Sequence, residues 1–133
     1  MAFTTALTKH VSFSSRFLRD TGYIDGAWTA GGATRTFDVL NPATGEVLAS
    51  LPDMGAAEPR EAITAAHAAQ PAWAPRPAKE RAAILRKWHE LMVANADELA
   101  AILTAEMGKP FAEARGEILY AAAYVEWYAE EAK

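Results

Sequence analysis

Three histidines, two glutamates one helical turn apart and a row of tyrosines are the side chains in this sequence whose types could support chemistry. His10, His67 and His89 share no metal-ligand spacing, and no His-Glu-x-x-His run is present, so each reads as a structural or surface histidine. Glu113 and Glu117 could act as paired carboxylates for acid–base work, but such pairs are more often a solvated helix face. Gly31-Gly32 precedes a strand instead of opening a helix, which is wrong for a phosphate cradle. Gly108-Lys109-Pro110 lacks the upstream glycine and the following Ser or Thr of a phosphate-binding loop. Tyr120, Tyr124 and Tyr128 recur at intervals of four and could form a ligand wall, although packing is the simpler reading of residue type alone. Cysteine is absent, which excludes a thiolate nucleophile, thiolate metal ligation and disulfides within these residues.

The elements that must position these residues divide into hairpins and helices. Tyr23-Ile24-Asp25-Gly26-Ala27-Trp28 sets Asp-Gly between short apolar segments and predicts a tight type I′ hairpin. Thr36–Leu40 and Glu46–Leu51 are expected strands joined by the turn Asn41-Pro42-Ala43-Thr44-Gly45. From Ala56 the period becomes helical. A first helix over Glu58–Gln70 is expected to stop at Pro71, and a second carries Ile84, Leu85, Trp88, Leu91 and Met92 as a buried stripe. Asp97 is expected to cap a third helix that runs to Met107, with Gly108 as its left-handed cap and Pro110 blocking continuation. A last helix, Glu113–Lys133, has Ile118, Ala122, Val125 and Ala129 on one face and the tyrosines on another. A helix apolar on two sides expects neighbours on both.

The chain has 133 residues, enough for one ordinary domain, and its 51% hydrophobic and 23% charged residues are those of a globular protein. A net charge of −4 gives no electrostatic reason to bind nucleic acid or an anionic membrane surface. Residues 1–22 carry Lys9, Arg16 and Arg19 against the single acid Asp20 and are rich in Ser and Thr. They read as a flexible N-terminal arm in preference to a mitochondrial presequence.

The order of motifs adds a resemblance. Tyr23-Ile24-Asp25-Gly26-Ala27-Trp28, Asn41-Pro42-Ala43-Thr44-Gly45-Glu46, Pro71-Ala72-Trp73, Ala78–Arg86 and Glu106-Met107-Gly108-Lys109-Pro110 follow one another as in the aldehyde dehydrogenase superfamily. Glu113–Ile118 and Glu126–Glu131 are most similar to the succinate-semialdehyde dehydrogenases within it. The resemblance covers about residues 17–133 and implies an α/β fold, of which this chain supplies the N-terminal part: hairpins over 23–51, then about four helices over 56–133.

The resemblance further implies oxidation of an aldehyde to a carboxylate with NAD or NADP as hydride acceptor, in a larger homo-oligomeric enzyme with a Rossmann-like core. The family's cysteine nucleophile, glutamate base and cofactor-binding residues fall beyond the matched segment, so no catalytic or cofactor-binding residue is assigned here and no cofactor is expected to bind this chain alone. Two assignments carry over. The Leu40 backbone carbonyl and Glu106 match ligands of a structural monovalent cation, although Glu106 could equally be a plain helix-end carboxylate. Tyr120, with Tyr124 as a weaker candidate, matches the mouth of the substrate tunnel. A cytoplasmic location is favoured over the mitochondrial matrix. The leading expectation is an N-terminal fragment of an NAD(P)-dependent succinate-semialdehyde dehydrogenase, inactive alone and prone to associate through exposed apolar faces. The alternative is a non-catalytic interaction module derived from such an enzyme.

Overall fold

The computed structural model describes residues 15–133; His10 and most of the proposed arm, including its presequence-like composition, lie outside the described residues. The described residues form strands β1 (Gly22–Ile24), β2 (Ala27–Thr29), β3 (Thr36–Leu40) and β4 (Val47–Pro52), then helices α1 (Ala57–Trp73), α2 (Ala78–Ala94), α3 (Ala96–Met107) and α4 (Phe111–Glu131). They fall into two compact units, one ending at Trp73 and one spanning Ala74–Lys133.

In the first unit β1 and β2 pair antiparallel, with Tyr23 opposite Trp28 and their rings 5.1 Å apart. Asp25 (φ 50) and Gly26 (φ 80) supply the two positive angles that the type I′ turn requires. β3 and β4 form a second antiparallel pair with an irregularity between Val39 and Leu40. Its turn is closed by Asn41, whose N–H donates to the Glu46 carbonyl at 2.9 Å while its own carbonyl accepts from Gly45 N–H at 2.8 Å. Asn41 Oδ1 also accepts from Ala43 N–H at 2.9 Å, the local bond that makes Asn a turn former.

Helix α1 does not stop at Pro71. The proline lies inside the helix, which ends at Trp73. A proline this close to a C-terminus deletes one backbone bond without having to be followed by further turns, so the helix tolerates it. Most of α1 is exposed, with Ile63 at 68%.

The second unit is a three-helix arrangement in which α4 packs against both α2 and α3. Its most deeply buried residues, Ala82, Ala96, Ala100, Ala114, Ala122 and Ala129, are all alanine, and no large side chain is fully buried. Small side chains let helix backbones approach closely but contribute little apolar area each. His89 reaches across from α2, its Nδ1 lying 3.0 Å from the Ala122 carbonyl of α4. A carbonyl only accepts, so Nδ1 carries the proton in this contact. Arg86 of α2 pairs with Glu126 and Glu130 of α4, and Arg115 Nε of α4 donates to Asp97 Oδ1 of α3 at 2.6 Å.

Two sequence expectations change here. Asp97 does not cap α3: Asn95 holds that position, and Asp97 stands in the first turn, where a carboxylate complements the positive helix end and pairs with Arg115. The expected α2 stripe splits into two. Leu85, His89 and Met92 are half-buried in a row with buried Ala82, whereas Ile84, Trp88 and Leu91 lie on an open flank, Trp88 at 55% exposure. Alternating 3- and 4-residue spacing admits either flank, and the alanine ridge of α4 selects the 82, 85, 89, 92 row. Two expectations hold. Gly108 (φ 80) ends α3 with its N–H on the Thr104 carbonyl at 2.8 Å, and Ala122 and Ala129 form the buried face of α4 with half-buried Ile118 and Val125.

Candidate functional site

The tyrosine row projects from the opposite side of α4. A spacing of four residues brings Tyr120 and Tyr124 together along one helical ridge. Their hydroxyls are 2.8 Å apart, and their rings meet edge-on with centroids 5.0 Å apart. A hydrogen bond in which the Tyr124 hydroxyl donates to Tyr120, together with the negative charge of an ionised Tyr120, pushes the Tyr124 pKa above its ordinary value. Tyr120 is 65% and Tyr124 51% exposed, with Tyr128 and Trp127 exposed beside them. The arrangement can offer apolar ring surface and a paired hydroxyl to a ligand; nothing about it activates a nucleophile.

Leu40 closes β3 at the irregular register and is half exposed. Glu106 lies in the last turn of α3 and is exposed. Leu40 belongs to the first unit and Glu106 to the second. A carbonyl and a carboxylate are the oxygen donors that a hard monovalent cation prefers, but two donors do not complete a coordination shell. No group of three or more His, Cys, Asp or Glu side chains suited to a metal occurs among the described residues.

Glu113 and Glu117 do not act together. Glu117 pairs with Lys109, and Glu113 is exposed in the first turn of α4. His67 is exposed on α1.

The polar residue that the sequence reading missed is Glu58. It is buried at 7% exposure in the first turn of α1. Its Oε1 accepts from Gly32 N–H at 2.9 Å and its Oε2 from Gly55 N–H at 3.0 Å. These amides hold the carboxyl below its ordinary pKa, with Gly32 the strongest influence. The Gly31-Gly32 loop therefore already has an anion, supplied by its own chain. The signal in the sequence was an acid in a helix's first turn, three residues after a glycine.

Residues 28–133 match the Aldehyde dehydrogenase family. With hairpins and helices in the expected order, the chain belongs to that family, and it corresponds to the N-terminal quarter of its relatives. It is 54% identical over 119 residues to glutarate-semialdehyde dehydrogenase of Pseudomonas aeruginosa, covering 90% of this chain and 25% of that protein. Against the NADP(+) succinate-semialdehyde dehydrogenase of Escherichia coli it is 51% identical over 119 residues, again 90% and 25%. The crystal structure of an aldehyde dehydrogenase from Brucella melitensis biovar abortus superposes with a TM-score of 0.83 at 49% identity, covering 86% of this chain and 24% of that one. The chain thus spans about a quarter of the length of the relatives it matches.

Proposed function

We propose that these residues serve as the N-terminal scaffold of an NAD(P)-dependent dehydrogenase that oxidises a semialdehyde bearing a distal carboxylate, succinate semialdehyde first among candidates. The observation that carries this reading is the in-register agreement of 90% of the chain with enzymes named for glutarate and succinate semialdehyde. In this reading residues 23–133 are one segment of the enzyme, preceded by the 1–22 arm. The chain holds no cysteine, so it cannot itself form the thiohemiacetal through which the family's chemistry runs. Its own residues bind and orient. Tyr120 and Tyr124 line the substrate entrance, and the Leu40 carbonyl and the Glu106 carboxylate are each offered as a cation ligand, the other donors coming from other parts of the enzyme. NAD or NADP serves as hydride acceptor and is held by those other parts, since Glu58 already engages the Gly32 amide. The whole enzyme is a homo-oligomer in the cytoplasm, without nucleic-acid or membrane partners. No helix among the described residues is long and apolar enough to cross a membrane.

The test is a chimaera in which this chain replaces the matching quarter of the Escherichia coli relative. The chimaera is expected to reduce NADP with succinate semialdehyde, and the 133-residue chain alone is expected to do nothing. A folded chimaera without activity, or turnover by the chain alone, would overturn the reading.

A further inference from the structure

Arg81 stands in the first turns of α2 with its side chain half-buried. Its Nε is shielded from solvent and has no hydrogen-bond partner among the described residues, and no ion pair joins its guanidinium to a described carboxylate. Other arginines have carboxylate partners: Arg35 with Asp53, Arg76 with Glu80, Arg86 with Glu126 and Glu130, and Arg115 with Asp97. A guanidinium is always charged and presents five donors in a planar fork, so a partly desolvated one calls for an acceptor of matching geometry. Among the described residues the other buried side-chain polar atom without a partner is Thr104 Oγ1, a neutral hydroxyl for which the demand is weaker.

The surroundings of Arg81 point the same way. Ile84, Trp88 and Leu91 follow it on one flank of α2 and are 45%, 55% and 50% exposed. Arginine and tryptophan, here two helical turns apart on one flank, are residue types enriched at the energetic centres of interfaces. Charge complementarity then specifies the occupant.

We propose that Arg81 is the anchor of a docking face on α2, and that its partner is a carboxylate carried by the portion of the enzyme outside these 133 residues, with Trp88 and Ile84 packing against the apolar surface around that carboxylate. The proposal rests on the reading of the chain as part of a larger dehydrogenase. It adds which helix flank receives the remainder, and through which charge.

The active chimaera described above separates the two ideas. Arg81→Met removes the charge while keeping length, and Lys79→Met makes the same charge change at an exposed neighbouring position. Arg81→Met is expected to lower the chimaera's thermal midpoint by about 5 °C and Lys79→Met to leave it unchanged. In the 133-residue chain alone, Arg81→Met is expected to cause no fall, because no partner is lost there. Arg81→Lys should recover part of the fall, since the charge persists while the fork is lost. An active chimaera indifferent to Arg81→Met overturns the docking proposal and leaves the functional reading standing. An equal fall in the isolated chain overturns it too, by placing the acceptor within these residues. A fall in the chimaera that is equally large at low and at high salt assigns an uncharged acceptor and overturns the carboxylate. An inactive chimaera overturns the functional reading itself.

Discussion

Gly32 donates its backbone N–H to Glu58 Oε1 at 2.9 Å, tying together positions 26 apart in the chain. The other carboxylate oxygen takes Gly55 N–H at 3.0 Å, so one side chain fixes both the loop after β2 and the entrance to α1. The bonds go to the charged form, which is why the carboxyl is held below its ordinary value of 4.5.

The sign of the pH dependence follows. A lowered folded-state pKa means that the stabilisation is complete above the unfolded value and is lost as pH falls through the folded one. Glu58→Gln is expected to accelerate amide hydrogen exchange at Gly32 and Gly55 at neutral pH. The difference from wild type should shrink on acidification below about pH 4. Equal exchange rates in the two proteins at neutral pH would show that the carboxylate does not hold these loops.

Gly31 has φ +60, and a Cβ there would lie 2.4 Å from Glu58 Cγ and 2.7 Å from its Oε1. Gly45 has φ +75 but open space around it. Gly45→Ala should therefore cost only the backbone penalty, about 1–2 kcal/mol, and Gly31→Ala at least about 1 kcal/mol more. Chemical denaturation of the three proteins, followed by circular dichroism, measures the difference. Equal costs would mean that Glu58 moves aside freely.

Tyr124 offers a spectroscopic handle on the tyrosine pair. Tyr120→Phe removes the hydrogen bond and the neighbouring phenolate that raise it, so Tyr124 should ionise closer to 10.0. A near-ultraviolet absorbance titration of phenolate formation reads this directly. An unchanged profile would mean that the two hydroxyls are not bonded in solution.

The exposed aromatic rows make a fourth prediction. Trp88 at 55% and Trp127 at 63% exposure lie on α2 and α4, and open apolar surface of this kind favours association and dye binding. Replacing both with Glu should cut binding of a hydrophobic dye several-fold while the helical circular dichroism persists. Dye binding that survives the double substitution would place the accessible apolar surface elsewhere.

What could be read from the residues was what short-range chemistry dictates. Asp25-Gly26 and Gly108 announce positive φ angles that few other residues adopt, so the first hairpin and the end of α3 were legible at once. The alanine face of α4 followed from its period. Less legible was whatever depends on which neighbour wins. Pro71 is a helix breaker in general but is harmless so near the end of α1, and the α2 stripe could have turned either of two ways toward α4. Glu58 and Arg81 were invisible for a deeper reason. A charged residue in a helical run reads as solvated, and only the folded chain reveals that one carboxylate faces two amides while one guanidinium faces none. At the tyrosine pair the spacing of four gave the contact, but the 2.8 Å hydroxyl bond needed the rotamers.

The two-stranded pairing of β3 with β4 has a consequence for how this segment behaves in solution. Among the described residues neither strand has a third beside it, so each is bonded along one side only. The free sides are edges five and six residues long, lined with amide and carbonyl groups that any extended backbone can match. The irregularity between Val39 and Leu40 and the missing donor at Pro52 blunt those edges without closing them. The rim along which a further strand could continue the sheet is also the rim along which copies of the chain could template one another into a growing ladder.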